Sequence, residues 1–205
     1  MARDSTLGIS CSERDSGKRA YVRASDSVYQ IHLENCVRHT RRSYGEMKMR
    51  GVYVLVMRLG EVTARTVGSL GGVKFEPGLW VYVGSAMGTG STSIEWRLTR
   101  HFSEDKTAHW HIDHLLSKPE VLKFAVYSET DKKLECVLAQ AIREHPHFAT
   151  GATGFGASDC RSGCTTHLFK YEGEGDIRSE LLDILDSLRL TGRVVEDRDD
   201  LLGKC

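Results

Sequence analysis

The sequence predicts a mixed α+β domain in which strands dominate the first half and helices recur after it. Residues 52–59 form an almost continuous apolar run, which is typical of a central strand. Residues 79–84 form a second apolar run directly after a Pro-Gly turn signal. Three later segments have the 3.6-residue apolar period of amphipathic helices. With 205 residues and 40% apolar content, the chain can build one such domain with appendages.

The first half of the chain contains three strand signals. Residues 61–67 follow the first strand across a tight turn and alternate loosely, which is typical of an edge strand. In the third strand, residues 79–84, the two-residue period places Tyr82 and Gly84 on one face. The same parity allows Tyr53 of the first strand to share that face. Two further strands are predicted, at residues 121–127 and 168–171.

Helices are predicted from capping signals and apolar periodicity. The first begins at a capping box formed by Thr92 and Glu95. Away from its apolar stripe, Arg97 and His101 lie one turn apart on the same face. Arginine offers a planar charged fork that suits phosphate, and histidine can shuttle a proton near neutral pH. The other predicted helices span residues 110–117, 132–145 and 176–190.

Glu135 is the most informative residue of the helix at 132–145. It lies at the edge of the apolar stripe, and a carboxylate against a core is costly unless it pairs with a cation or a metal. The alternative is a side chain that reaches water or pairs with an arginine. Cys136 lies about 100° further around the helix, so we do not expect it to share the position of Glu135. The predicted stripe contains Leu134, Val137, Leu138, Ala141 and Ile142.

The balance of charge limits how the chain could bind nucleic acid. Lys plus Arg and Asp plus Glu each total 28, so any such contact must come from a local patch. The stretch from Arg97 to Lys118 mixes basic side chains and histidines around Trp110. This mixture suits a patch that follows phosphates and stacks bases, and a solvated face of mixed charge is the alternative.

The six cysteines are expected to be free thiols, core residues or metal ligands. The chain has no apolar signal segment near Met1 and no 18-residue apolar run, so we expect a reducing, cytoplasmic location and no membrane contact. Zinc requires four nitrogen or sulfur ligands, and two clusters each supply only three. Small buried thiols are the common alternative to such a site. The clusters are Cys160, Cys164 and His167, and His109, His111 and His114.

Three regions are expected along the chain. Residues 1–48 form an N-terminal arm that we expect to be disordered or loosely attached, although the alternation of Tyr29, Ile31 and Leu33 could form one short strand. Residues 49–172 form the main domain, and Met47 and Met49, directly before its first strong strand, could mark an alternative translation start. Residues 173–205 contain a helix and an acidic tail, which we expect to fray beyond Val195.

Several motifs resemble the GIY-YIG nuclease superfamily. They are Gly51-Val52-Tyr53, Tyr82-Val83-Gly84, the helical Arg97-x3-His101 and the later helical Glu135. The closer likeness is to the Uri-type branch and covers about residues 50–172. It lies in Gly84-Ser85-Ala86, Arg97 to His101, His109-Trp110-His111-Ile112-Asp113, Glu135-Cys136, and residues 155–169.

The resemblance implies a small three-stranded antiparallel sheet flanked by helices and a divalent-metal-dependent endonuclease, with DNA in repair or processing as the expected substrate. It implies Mg²⁺ or Mn²⁺ on Glu135. The implied catalytic residues are Tyr53, Tyr82, Arg97, His101 and Glu135. The expected nucleic-acid contacts are Gly84, Ser85, Arg100, Lys106, His109, Trp110 and His111. The alternative is a non-catalytic nucleic-acid-binding module with the same fold, stabilised by zinc.

Overall fold

The computed structural model of the chain describes residues 19–24, 27–32, 48–117 and 121–202. The chain divides into two units, residues 1–40 and residues 41–205. In the first unit, β1 (Arg19–Ala24) pairs with β2 (Ser27–His32) in an antiparallel hairpin. β2 coincides with the short strand that the alternation of Tyr29 and Ile31 could form. Most of the arm predicted at residues 1–48 lies outside the described residues.

The second unit is built on a six-stranded antiparallel sheet in the order β10-β7-β3-β6-β9-β8. Among the described residues, short 3-10 turns lie at Gly68–Leu70, Gly90–Thr92 and His111–His114. In chain order the other elements are β3 (Gly51–Leu59), β4 (Thr63–Thr66), β5 (Gly72–Phe75), β6 (Gly78–Ala86), α1 (Ile94–Phe102), β7 (Leu122–Glu129), α2 (Glu135–Glu144), β8 (Phe148–Thr150), β9 (Leu168–Tyr171), α3 (Ile177–Ser187), β10 (Arg193–Val195) and α4 (Arg198–Leu202).

The predicted α+β class is confirmed, but the predicted count of three strands in the sheet is wrong. β3 and β6 form the centre, and later strands join both sides, with β7 and β10 beyond β3 and with β9 and β8 beyond β6. The odd-numbered side chains from Tyr53 to Met57 pack in the layer that contains α1 and α4. The even-numbered side chains from Val52 to Val56 pack against α2 and α3. Burial on both faces explains the continuous apolar run of β3.

Residues 61–67 do not form an edge strand of this sheet. The chain turns back through Gly68–Leu70, and β4 pairs with β5 in a separate two-stranded sheet. Phe75 at the end of β5 is buried and meets the ring of Trp80 edge-on, with the centroids 5.7 Å apart. The loose alternation of residues 61–67 therefore reflects a hairpin that packs on the domain. The helix predicted at residues 110–117 is also wrong, because only the short 3-10 turn at His111–His114 forms there.

The capping box predicted for α1 is wrong. The Ser93 hydroxyl caps this helix and accepts a hydrogen bond from the backbone N–H of Trp96 at 3.3 Å. Glu95 is buried, and its carboxylate accepts hydrogen bonds from the backbone N–H groups of Lys48 and Met49. This carboxylate therefore holds the segment that enters β3.

Two expectations for the second half also change. In α2, Val137 is 45% exposed, and Ala139 is buried in the core beside Leu138. The region after residue 190 forms β10, which pairs with β7, and α4, whose Leu201 is buried in the same layer as Tyr53. The fraying predicted beyond Val195 is therefore wrong for residues 198–202, which form α4. Within the described part of the chain, no helix has the length and apolar character that crossing a bilayer requires.

Candidate active site

Tyr53 and Tyr82 lie on the same face of the sheet, as strand parity predicts. The register pairs Tyr53 with Gly84 and Tyr82 with Leu55, so the two tyrosines are diagonal neighbours on adjacent strands. A Cβ atom at Gly84 would come within 2.4 Å of Cζ of Tyr53. Glycine at this position therefore makes room for the phenol ring across the strand. Both tyrosine rings are buried.

The hydroxyl of Tyr53 makes a hydrogen bond with Nε2 of His101 on α1, at 3.0 Å. Burial raises the pKa of Tyr53 above its ordinary value, and burial lowers the pKa of His101 to about 3. Both groups are therefore neutral near pH 7. The other imidazole nitrogen, Nδ1, faces Asp113, so we assign its proton to Nδ1. The Tyr53 hydroxyl then donates, and Nε2 accepts.

Asp113 organises the side of His101 that faces away from Tyr53, and the sequence patterns did not single it out. Its Oδ1 atom lies 4.0 Å from Nδ1 of His101. Its carboxylate accepts two hydrogen bonds from Arg100, at 2.9 and 3.0 Å. It also accepts from the backbone N–H groups of His109 and Trp110. Burial favours the neutral acid, but the bonds from Arg100 and the backbone outweigh it and lower the pKa of Asp113.

Arg97 brings a permanent positive charge to the tyrosine pair. Its Nη1 donates to the backbone carbonyl of Ser85 at 2.7 Å. Its Nε is buried and has no hydrogen-bond partner among the described residues. The charge of Arg97 opposes the effect of burial on the pKa of Tyr53. One donor of the guanidinium is thus buried close to the tyrosine pair, and the side chain as a whole is half-buried.

Glu135 is the first residue of α2, on the other side of the sheet, and it meets the site where β6 ends. Its Oε2 accepts a short hydrogen bond from the hydroxyl of Ser85, and its Oε1 accepts one from Nδ1 of His167 at 3.1 Å. Burial raises the pKa of Glu135, but these two hydrogen bonds outweigh it, so the pKa lies below its ordinary value. Glu135 is therefore an anion, and 29% of its side chain remains exposed.

The five predicted catalytic residues form one group. The charges of Glu135 and Arg97 both act on Tyr53 and on Tyr82. Burial is the largest influence on Tyr82, and the neighbouring Tyr53 adds to it, so the pKa of Tyr82 is also raised. A Cβ atom at Gly156 would come within 2.6 Å of the Tyr82 ring. The glycine-rich loop after β8 therefore closes directly over this tyrosine.

Most of the predicted nucleic-acid contacts are engaged within the protein. Arg100 is held by Asp113, as described above. The ammonium group of Lys106 donates to the backbone carbonyl of His101 at 2.9 Å. His111 accepts a hydrogen bond through Nδ1 from a backbone N–H of the loop after β8. These three side chains stabilise the region around α1, so an approaching phosphate would have to compete with internal partners.

The remaining predicted contacts lie nearer the surface or in the sheet. His109 is exposed. Trp110 is half-buried, and its ring centroid lies 5.1 Å from Cζ of Arg97 and 4.5 Å from Cζ of Arg100. Gly84 is buried beneath the ring of Tyr53, and Ser85 is bound to Glu135. The structure therefore brings Trp110 to Arg97, but it does not assemble the seven predicted contacts into one exposed basic surface.

The predicted cluster of Cys160, Cys164 and His167 is joined by Cys136, the residue after Glu135. Their four potential ligand atoms lie within 4.8 Å of one another. Burial disfavours the Cys160 thiolate, but backbone N–H groups of Cys164 and Ser162 lower the pKa of this thiol to about 7. Cys136 and Glu135 have different partners, as their 100° separation on the helix predicts, because Cys136 joins the cysteine cluster and Glu135 contacts Ser85 and His167. The second predicted cluster, at residues 109–114, forms no such group among the described residues.

Comparison with known proteins identifies the family. A family model described as "Domain of unknown function DUF123" matches residues 52–190, which is more than half of the chain. No curated protein and no solved structure matches the chain. The matched range begins in β3 and ends after α3, so it contains every residue of the candidate site. The chain therefore belongs to the family of domain of unknown function DUF123, which is a GIY-YIG-like family.

Proposed function

We propose that this protein is a divalent-metal-dependent endonuclease of the Uri-type branch that hydrolyses phosphodiester bonds in nucleic acid, with DNA as the expected substrate. One observation carries the proposal. The buried hydrogen bond between Tyr53 and neutral His101 lies beside the charge of Arg97 and within the field of the Glu135 carboxylate. A proton acceptor, a fixed cation and an ionised carboxylate are the groups that phosphodiester hydrolysis requires.

The carboxylate of Glu135 suits a divalent cation. A carboxylate offers about four acceptor positions, and hydrogen bonds from Ser85 and His167 occupy one on each oxygen. Partial exposure of Glu135 leaves the other positions accessible to ligands. Mg²⁺ is commonly held by one or two carboxylates together with water and phosphate oxygens. A cation held by Glu135 would supply charge stabilisation at the scissile phosphate.

The proton route follows from the pair of Tyr53 and His101. The attacking water gives its proton to Oη of Tyr53 while the hydroxyl proton of Tyr53 passes to Nε2 of His101. The new bond joins the water oxygen to phosphorus, the bond to the leaving oxygen breaks, and that oxygen takes a proton from solvent. Because Tyr53 starts neutral, this relay removes the need for a free tyrosinate. Asp113, near Nδ1, favours the positive imidazolium that results.

Arg97 and Tyr82 bind and orient the substrate in this scheme. The half-buried guanidinium of Arg97 binds a phosphate oxygen, and its charge stabilises the crowded phosphorane-like transition state. Tyr82 remains a neutral phenol because its pKa is raised. It therefore serves as a hydrogen-bond donor beside Tyr53 and does not compete for the proton.

The test is cleavage of supercoiled, branched and single-stranded DNA, and of RNA, by the full chain with Mg²⁺ or Mn²⁺. We expect Tyr53→Phe to lower the cleavage rate about 10²- to 10⁴-fold. Glu135→Gln should lower it at least about 100-fold, because a metal contributes several kcal/mol to the transition state. The matched control is Glu144→Gln, the same substitution at an exposed position of the same helix. Activity of Glu135→Gln equal to that of this control would reject the metal assignment.

A zinc-stabilised module that binds nucleic acid without cutting it remains the second candidate, and the four-residue Cys/His cluster favours it. Electrophoretic mobility shifts separate the two functions. Binding to the same nucleic acids, with no cleavage in either metal, would reject the endonuclease and support the module.

A further inference from the structure

We propose that Cys136, Cys160, Cys164 and His167 bind one zinc ion, with Nε2 of His167 as the nitrogen ligand, and that this ion positions Glu135. The four ligand atoms come from two separate segments of the chain and converge within 4.8 Å. Three thiolates and one imidazole are a complete ligand set for a structural zinc site. The zinc site itself does not depend on the proposed nuclease function.

His167 provides an observation that is independent of the cysteines. Its side chain is only 3% exposed, and its Nδ1 donates to Glu135. Its Nε2 is buried and has no hydrogen-bond partner among the described residues. A buried polar atom without a partner is costly, and it often marks a missing ion or water. The hydrogen bond at Nδ1 fixes the tautomer that leaves a lone pair on Nε2, which is the form that binds a metal.

The spacing of the sulfur atoms fits zinc and does not fit a disulfide. The Sγ atoms of Cys136 and Cys160 are 3.5 Å apart. A tetrahedron with Zn–S bonds of about 2.3 Å places its sulfurs about 3.8 Å apart. A disulfide bond is only about 2.05 Å long. The thiols therefore lie close to the arrangement that a shared ion requires.

The position of the cluster gives the ion a structural task. Cys160 and Cys164 lie on the long loop between β8 and β9, His167 immediately precedes β9, and Cys136 lies in the first turn of α2. A loop of this length without strands or helices loses considerable entropy when it is ordered. An ion bound by both segments would hold the loop against the start of α2. The same loop covers Tyr82 through Gly156.

In this arrangement, Glu135 is the carboxylate that accepts a hydrogen bond from the second nitrogen, Nδ1, of the zinc-binding His167. Ligand histidines commonly donate their second N–H to a carboxylate, and loss of that partner weakens metal binding about 10- to 100-fold. Glu135 also accepts a hydrogen bond from the Ser85 hydroxyl, so each of its two oxygens has one partner. The consequence that zinc orients the carboxylate for catalysis rests on the proposed function.

The experiment measures metal in the full-length, untagged protein purified under reducing conditions. We expect about one zinc per chain by elemental analysis. X-ray absorption should give three sulfur neighbours at about 2.3 Å and one nitrogen neighbour at about 2.0 Å. His167→Gln should lose at least 90% of the zinc, whereas His114→Gln, a histidine outside the cluster, should retain it. Protein without zinc, or with a disulfide between Cys136 and Cys160, would overturn the proposal.

Two further measurements test the zinc site even if the His167 variant fails to fold. Co²⁺ added to chelated wild-type protein should give the absorption of a tetrahedral site with thiolate ligands, and an octahedral spectrum would contradict the ligand set. Glu135→Gln should weaken zinc affinity about 10- to 100-fold in a competition assay with a chelating dye, which a carboxylate without contact to His167 would not do. Bound zinc without any cleavage would support this zinc site and reject the nuclease function. Cleavage by protein purified without zinc would support the nuclease function and reject this zinc site.

Discussion

Substitution of Gly84 by alanine tests the packing that places Tyr53 in the site. The added Cβ would lie 2.4 Å from Cζ and 2.5 Å from Oη of Tyr53. Favourable contacts between carbon atoms lie at about 3.5–4.0 Å, so the overlap is about 1 Å. Overpacking of this kind costs about 1–3 kcal/mol. The ring is only 2% exposed and can yield only by losing its hydrogen bond to His101, which adds about 1 kcal/mol.

We therefore expect Gly84→Ala to lower the free energy of unfolding by about 2–4 kcal/mol. Urea unfolding followed by tryptophan fluorescence measures this change, and the slope of the transition should stay the same. The control is Gly60→Ala, because a Cβ at Gly60 would have no atom within 4 Å. Its cost should stay within about 0.5 kcal/mol.

The decisive comparison uses a background in which the clashing atoms of the ring are absent. Tyr53→Leu removes Cζ, Oη and Cε2, which are the three atoms that the new Cβ would meet. In that background Gly84→Ala should cost less than about 1 kcal/mol, because two residues in contact do not act additively. If Gly84→Ala lowered the free energy of unfolding equally in the wild type and in Tyr53→Leu, the packing of Tyr53 over Gly84 would be refuted.

Two other predictions concern the partners of His101. Asp113→Asn leaves the guanidinium of Arg100 without its buried carboxylate. It should lower the free energy of unfolding by about 3–5 kcal/mol in thermal or urea unfolding. The control is Glu129→Gln, whose partner Arg193 is exposed, and it should cost less than about 1 kcal/mol. Because the pKa of His101 falls from 6.5 to about 3 on folding, its contribution to stability is complete above about pH 6.5 and is lost as pH falls towards 3. The free energy of unfolding of His101→Gln should therefore change less between about pH 7 and pH 4 than that of the wild type. The same dependence on pH in both proteins would contradict burial of the neutral ring.

Local patterns predicted the elements whose neighbours lie in the same strand or helix. The two-residue period sufficed to place Tyr53 and Tyr82 on one face, and the short strand at residues 168–171 was located correctly because its side chains are buried in the sheet. Glu95 shows why other expectations were wrong. Its spacing from Thr92 fits a capping box, but its carboxylate satisfies backbone groups 46 and 47 residues away. Spacing along a helix contains no information about such a distant partner.

Charge patterns were a weaker guide to the candidate site. Arg100 and Lys106 belong to a basic stretch that suits phosphate binding, yet both are occupied by internal acceptors. Asp113 was quoted only as part of a family motif and was not named as a site residue, although it is the acceptor that engages Arg100 and faces His101. A basic side chain near an acidic one in sequence is compatible with a surface patch and with a buried ion pair. Only the fold decides between them.

The link between Glu135 and Cys136 could not be derived from the helix alone. Adjacent residues on a helix point about 100° apart, which argues against a shared position. An imidazole, however, has two nitrogens on different edges of its ring. In His167, Nδ1 donates to Glu135, and Nε2 is buried without a hydrogen-bond partner among the described residues, beside the cysteine cluster that contains Cys136. Glu135 and Cys136 point in different directions from α2, but His167 from another segment lies next to both of them. Substitution of His167 should therefore disturb both the Cys/His cluster and the position of Glu135 in the tyrosine site.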